Sequence, residues 1–156
     1  MIIGVMSDMH GDKYAVRKAS EKFQNADLVI NLGDYIDDAD YLAQYYNGRI
    51  ISVKGNCDFS HKAPVDRIEK IENKVFFITH GQRYGVKYSL SDLKWKAKEV
   101  KADIVLYGHT HISKIDYEDG IFFLNPGSGS YSRRDFNSVA TVEINEKGIN
   151  PSILRI

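Results

Sequence analysis

The sequence predicts an α/β protein with mixed β-sheets. Three observations carry that reading. Short apolar runs alternate with helix-period stripes through the first part of the chain, which is the pattern of βαβ units. Hairpin signals dominate the later part, and these call for antiparallel strands. At 156 residues and 17.7 kDa the length suits one domain with one core, taken here as residues 1–156.

In order, Ile2 to Met6 is a short buried strand. Lys13 to Gln24 is a helix with Val16, Ala19 and Phe23 on one stripe and Asp12 as its cap. Leu28-Val29-Ile30 is a second buried strand ending at Gly33-Asp34. Asp38 to Tyr46 is read as helical, Gly48 breaks the pattern, and Ile50 to Val53 is a third strand running into Gly55-Asn56. Val65 to Ile71 and Lys74 to Thr79 flank Glu72-Asn73 as a hairpin. Leu90, Leu93, Ala97 and Val100 mark a helix with Ser89 or Ser91 near its start. Ile104-Val105-Leu106 is a further buried strand. Ser113 to Tyr117 and Ile121 to Leu124 flank Glu118-Asp119-Gly120, and Asp-Gly is a strong hairpin turn. Val139 to Ile144 and Ile149 to Ile156 form the last pair, around Glu146-Lys147-Gly148.

Composition narrows the function classes. Lysine plus arginine equals aspartate plus glutamate at 21 each, so the chain has no overall charge to draw it to nucleic acid or a membrane surface, although local patches stay open. The single Cys57 cannot form an internal disulfide, in keeping with a reducing interior. The apolar start, Met1 to Met6, lacks a basic leader and is too short for a signal peptide. No apolar run reaches membrane-spanning length. A cytoplasmic protein is the expectation.

The chemistry is concentrated at strand ends. Asp8-x-His10, Gly33-Asp34, Gly55-Asn56, His80-Gly81 and Gly108-His109-Thr110-His111 each follow an apolar, β-like run, and four of the five histidines fall there. Ligands in open α/β sheets gather beyond the carboxyl ends of strands. In an extended segment residues two apart point the same way, so Asp8 with His10, and His109 with His111, can each address one metal cluster. Carboxylate and neutral imidazole together suit Mn, Fe, Zn, Co or Ni. Two carboxylates and four imidazoles are too many for one tetrahedral zinc, and about right for two ions sharing a carboxylate. Any one of these motifs alone is weak, and Gly-Asp after a strand is usually a turn. The case rests on all five in order, and it points to hydrolysis at a two-metal centre. His61, in a polar loop, reads as a surface residue.

With these motifs the chain resembles the calcineurin-like metallophosphoesterases, in particular the small bacterial and archaeal phosphodiesterase branch. The carrying residues are Asp8-x-His10, Gly33-Asp34-x-x-Asp37, Gly55-Asn56-Cys57-Asp58, Thr79-His80-Gly81 and Gly108-His109-Thr110-His111, followed by Asn125-Pro126-Gly127-Ser128. The resemblance implies a four-layer α/β/β/α sandwich of two mixed sheets flanked by helices. It implies two divalent metal ions, manganese first, with Fe, Ni, Zn or Co as alternatives. Asp8, His10 and His111 would hold one ion, Asn56, His80 and His109 the other, and Asp34 would bridge them. Asp34, Asn56, His80 and His109 are the residues it puts in the catalytic role. Asp37 and Asp58 look like supporting acids.

There are departures. Many family members have His after Gly-Asn, thought to help protonate the leaving group, where this chain has Cys57. A thiol with a reference pKa near ~8.5 is a poorer acid at neutral pH than an imidazolium near ~6.5. Cys57 is therefore read as a small buried hydrophobe behind the site rather than a nucleophile. Gln82 stands where relatives often have a second His, and Ser132-Arg133 where the branch often has Pro-Arg. Asn125 to Ser128 is read as a structural turn beside the site. Tyr84, Tyr88 and Tyr131 could line a substrate pocket.

The activity implied is phosphoester hydrolysis, in particular of phosphodiesters, by in-line attack of a metal-bridging hydroxide. Two divalent ions and two carboxylates leave a local charge of plus two, which draws an anionic small phosphoester to the spot. Lacking the histidine acid, the chain should prefer diesters with good leaving groups to alkyl monoesters. The competing readings are a protein-binding scaffold of the same fold, like the retromer subunit, and a nuclease. The scaffold would go with loss of key histidines, which are present. The nuclease needs a basic groove, and no basic cluster exceeds Arg133-Arg134. The sequence leaves a homo-oligomer open.

Overall fold

A computed structural model describes residues 1–59 and 62–156; the reading of His61 lies outside the described residues. Ten strands form two five-stranded sheets. The first sheet holds β1 (Ile2–Met6), β2 (Leu28–Asn31), β3 (Arg49–Ser52), β9 (Ser138–Asn145) and β10 (Gly148–Arg155), in the order β10-β9-β1-β2-β3. The second holds β4 (Asp66–Ile71), β5 (Lys74–Thr79), β6 (Ile104–Leu106), β7 (Lys114–Glu118) and β8 (Ile121–Asn125), in the order β4-β5-β6-β8-β7. Both are mixed. β1, β2 and β3 run parallel, as do β5, β6 and β8, while β9, β10, β4 and β7 pair antiparallel.

The two sheets face each other, and side chains from both fill the space between them. Ile3, Val5, Ile30, Ile51, Ala140 and Val142 of the first sheet meet Phe76, Ile78, Ile104, Leu106 and Leu124 of the second. All are buried, and truncating one such residue, Ile78→Ala for example, costs about 2–5 kcal/mol. Because strands alternate faces, the other face of each sheet is apolar too and takes helices. Helix α1 (Lys13–Lys22) and the short α2 (Asp38–Leu42) cover the first sheet, with Val16, Ala19, Phe23 and Leu42 against Met6, Val29 and Val139. Helix α3 (Ser91–Glu99) covers the second, with Leu93 and Ala97 against Phe77, Val105 and Phe123. The result is the expected α/β/β/α sandwich. Among the described residues no helix is long and apolar enough to cross a membrane.

The local signals account for most boundaries. Asp12 caps α1, its carboxylate accepting from the backbone N–H groups of Tyr14 and Ala15 at 3.0 Å. The helix ends at Lys22 rather than Gln24, because Phe23 turns out of helical geometry while its ring stays in the core. The second helix is shorter than expected. After Leu42 the chain continues in turns that bury Tyr46, whose hydroxyl donates to Ala26 O at 2.8 Å. At α3 neither serine caps by side chain; instead Ser89 Oγ accepts from Ser91 N at 3.0 Å just before the helix.

Candidate metal centre

The carboxyl ends of the six parallel strands meet along one edge of the sandwich. β1 leads into Asp8 and His10, β2 into Asp34, β3 into Asn56, β5 into His80, β6 into His109 and His111, and β8 into Asn125. The backbone there corrects the extended reading of the two x-spaced pairs. Asp8, His10, Asp34, His109 and His111 all have left-handed φ, between 52° and 67°. Aspartate and histidine tolerate this region better than most residues, but each instance costs roughly 1–2 kcal/mol. Each pair therefore converges through repeated left-handed turns beyond the strand, not through pleating. Strain concentrated on the polar residues of one edge is a mark of a functional site.

One cluster is Asp8, His10 and His111, whose candidate ligand atoms lie within 4.8 Å of one another. Asp8 is fully buried. Its Oδ2 accepts from Ser7 Oγ at 2.5 Å and from the backbone N–H of His109 at 3.0 Å. That leaves Oδ1 facing His111 Nε2 at 3.1 Å and His10 Nε2 at 4.0 Å. The two imidazole Nε2 atoms are 3.3 Å apart. His111 Nδ1 lies 2.8 Å from the carbonyl of Tyr131, so a proton on Nδ1 donates there and the Nε2 lone pair points into the cluster.

The other cluster is Asp34, His80 and His109, again within 4.8 Å. His80 is fully buried, and its Nδ1 is held by Leu32 O at 2.8 Å, which likewise frees Nε2. That atom stands 3.4 Å from Asp34 Oδ2 and 3.9 Å from Asp8 Oδ1. Asp34 Oδ1 accepts from Cys57 N at 2.9 Å. Asp34 also groups with His10 and Cys57, so it touches both halves of the site.

Electrostatics follow from this crowding. Burial opposes the ionised form of Asp8, yet the adjoining His111 and His80 and the Ser7 hydroxyl hold its carboxyl below the usual range. Burial also opposes ionised Asp34, and His80 and the Cys57 N–H override it, again downward. For His80, burial disfavours the cation, but Asp34 and Asp8 outweigh that and raise it. Asp8 raises His111 as well. His109 is pushed down to about 4, by burial first and then by the charges of His80 and Lys87.

The surrounding residues brace these groups. The Asp58 carboxylate accepts four backbone N–H bonds: Asp34 and Gly55 on Oδ2 at 3.0 and 2.8 Å, and Tyr35 and Ile36 on Oδ1 at 3.0 and 2.7 Å. It locks the loop after β2 to the loop after β3. The expected turn Asn125 to Ser128 is a brace too. Asn125 Nδ2 donates to Gly108 O at 2.9 Å, and Ser128 Oγ donates to Asp8 O at 2.7 Å. Gly108 admits no side chain, since a Cβ there would collide with Ser7 Oγ and crowd Asp8 Oδ2.

Asn56 is exposed on the loop after β3, its amide donating to Cys57 Sγ at 3.4 Å. Cys57 is exposed rather than buried behind the site, and its sulfur joins the Asp34–His10 group. Asp37 is exposed and paired with Lys62 at 2.7 Å, apart from the clusters. Tyr84 donates to Asp66 at 2.9 Å and packs on Phe77, so it is structural, and Tyr88 points to solvent. Tyr131 does reach the site, edge-on to His10 at 5.7 Å between ring centroids. Tyr35, which pattern did not single out, flanks His10 from another direction at 6.4 Å. Its own left-handed φ of 84° shows only once the loop is folded.

Whether this donor set fits cations can be judged from two atoms. Asp8 Oδ1 and His80 Nε2 are buried and have no hydrogen-bond partner. Buried polar atoms are normally satisfied, and both sit where carboxylate oxygens and imidazole nitrogens converge. The mixed O/N set fits divalent transition ions.

Known proteins share the fold and the family. The calcineurin-like phosphoesterase superfamily domain matches residues 1–147. A probable metallophosphoesterase of Methanocaldococcus jannaschii is 31% identical over 150 residues, covering 94% of this chain and 78% of the relative. The solved structure of an archaeal phosphodiesterase superposes with a TM-score of 0.81 at 26% identity, covering 99% of this chain and 100% of that one. Zinc-bound Vps29 of Entamoeba histolytica has a TM-score of 0.76 at 21% identity, over 99% of each chain, and shares the fold. With the motif-bearing strand ends inside the matched span, this chain belongs to the calcineurin-like phosphoesterase superfamily.

Proposed function

We propose that the chain is a two-metal phosphodiesterase acting on small phosphoesters, with residues 1–156 working as one domain. The carrying observation is the pair of buried, unpartnered atoms, Asp8 Oδ1 and His80 Nε2, set between two ligand clusters. In this reading Asp8, His10 and His111 would hold one divalent ion, Asn56, His80 and His109 would hold the other, and Asp34 would serve both. Manganese is the first choice of metal. Ions held there would supply Lewis acidity toward the phosphoryl oxygens and lower the pKa of water.

The chain's own part is positioning. Leu32 O and Tyr131 O fix the tautomers of His80 and His111, so both rings present Nε2 without a search among states. Asp58 and Ser128 hold the strand-end loops at their spacing. Cys57 supplies no ready proton. Partial desolvation beside the site, and then the Asp34 carboxylate, push its thiol up to about 11. A leaving group must therefore depart as a stable anion or take its proton from water, which favours aryl diesters.

Metal analysis of the purified protein beside a panel of mono- and diesters tests this reading. About two ions per chain and turnover of diesters are expected. Stoichiometric metal with no turnover on any phosphoester would instead favour the protein-binding scaffold. Cleavage of nucleic acid strands, with binding that weakens steeply as salt rises, would favour a nuclease.

A further inference from the structure

A cleft of about 230 Å³ carries Lys87, Lys114 and Arg133 on its lining, together with the apolar Val86, Leu90 and Ile112. It adjoins the candidate centre, because Thr110, the residue between His109 and His111, also lines it. The backbone N–H of Arg133 donates to His111 O at 3.0 Å, which fixes where that side chain starts.

Only part of the charge in this cleft is spent internally. Lys114 is paired with Asp116 at 2.8 Å. Among the described residues Lys87 and Arg133 form no ion pair. In a chain whose charges balance at 21 to 21, two cations without an ion pair on one small concavity are a local excess. The apolar residues beside them suit the body of an organic group rather than a bare ion. A long polyanion is a poorer match, since it needs a track of charge and this is a single small concavity.

Resting on the phosphodiesterase reading above, we infer that this cleft binds a second phosphate carried by the substrate, so that preferred substrates are phosphodiesters bearing a further phosphate on one alcohol half. Lys87 and Arg133 are its anion-binding residues; the metal centre takes the scissile phosphate.

The test compares affinities, so it does not depend on turnover. Thymidine 3′,5′-bisphosphate and thymidine 5′-monophosphate are titrated by calorimetry into protein loaded with Mn²⁺. The bisphosphate is expected to bind at least ~10-fold more tightly, the scale of one good charge-assisted contact. In the Lys87→Ala/Arg133→Ala double variant that ratio should fall to within about twofold, and Arg133→Glu alone should lower it in the same direction. Equal affinities in the wild type, or a preference that survives both variants, overturn the inference. Turnover is then read on the p-nitrophenyl ester of thymidine 5′-phosphate with and without a 3′-phosphate. A rate advantage for the 3′-phosphorylated ester, lost in the double variant, supports the inference. A binding preference with no turnover supports the cleft and counts against the phosphodiesterase reading alone.

Discussion

Asp8 Oδ1 and His111 Nε2 come from different sheets and lie 3.1 Å apart, yet Asp8 Oδ1 makes no hydrogen bond. The oxygen is pinned by what happens to its partner: Oδ2 is taken by Ser7 and the His109 N–H. A carboxylate held this way is presented to something other than a protein donor. In the metal-free protein the carboxylates raise His111 and His80, so protons compete for the nitrogens that a cation needs. Since the raised groups are protonated below their folded pKa, metal binding must release protons there. Apparent affinity should therefore rise with pH, by at least ~10-fold between pH 6 and 8. Calorimetry in buffers of different ionisation enthalpy measures both the affinity and the protons released; affinity flat across that range would contradict the account.

Asp34→Asn should lose metal and activity together. The amide keeps the volume but removes the charge that faces His80 and the Cys57 N–H. A fall of at least ~100-fold in metal affinity, with turnover falling alongside, is expected. Wild-type metal content and rate in this variant would remove Asp34 from the bridging position.

Asp58→Ala tests the brace. Four backbone N–H groups lose one carboxylate, and the loops after β2 and β3 lose their tie. Unfolding in denaturant with a chelator present should show a loss of about 2–4 kcal/mol. Metal affinity should also fall, because Asp34 sits in the released loop.

Asp38 makes a separate pH prediction. It is buried, and burial, then the neighbouring Asp58, Asp12 and Asp37, raise it to about 6 despite the Gly11 N–H bond. A carboxyl raised above its unfolded value contributes stability below that value and loses it as pH rises through the folded pKa. Asp38→Asn should thus match or trail the wild type near pH 4 and exceed it by on the order of 1–2 kcal/mol above pH 7. Thermal melts across that range measure the crossover; a constant difference at all pH values would contradict it.

The substrate preference follows from Cys57. Rates on aryl diesters should exceed those on alkyl monoesters, and Cys57→His should narrow the gap by restoring an acid near neutral pH. Steady-state rates with Mn²⁺ on both substrate classes decide it, and a wild-type preference for alkyl monoesters would count against the account.

Much of this was legible in the order of residues. The apolar runs place β1, β2, β6 and β8 nearly to the residue, since a strand buried on both faces leaves a continuous signature, as in Ile2–Met6 and Ile104–Leu106. Exposed β7 was legible by its Asp-Gly turn instead. The candidate ligand set was legible because Asp8, Asp34 and His80 each follow such a run. What pattern could not show depends on closure of the fold. The left-handed backbone at Asp8 and His111 arises only where loops from two sheets are tied together. The four bonds of Asp58 and the exposure of Cys57 come from the same loop packing. Lys87, Lys114 and Arg133 are remote in sequence and meet only in three dimensions.

Anomalous diffraction from crystals grown with Mn²⁺ tests the central claim most directly. Two peaks are predicted, about 3.5–4 Å apart, one among Asp8, His10 and His111 and one beside His80 and His109, with Asp34 between them. No peak among these side chains, or a single ion with the remaining ligands turned away, would contradict it.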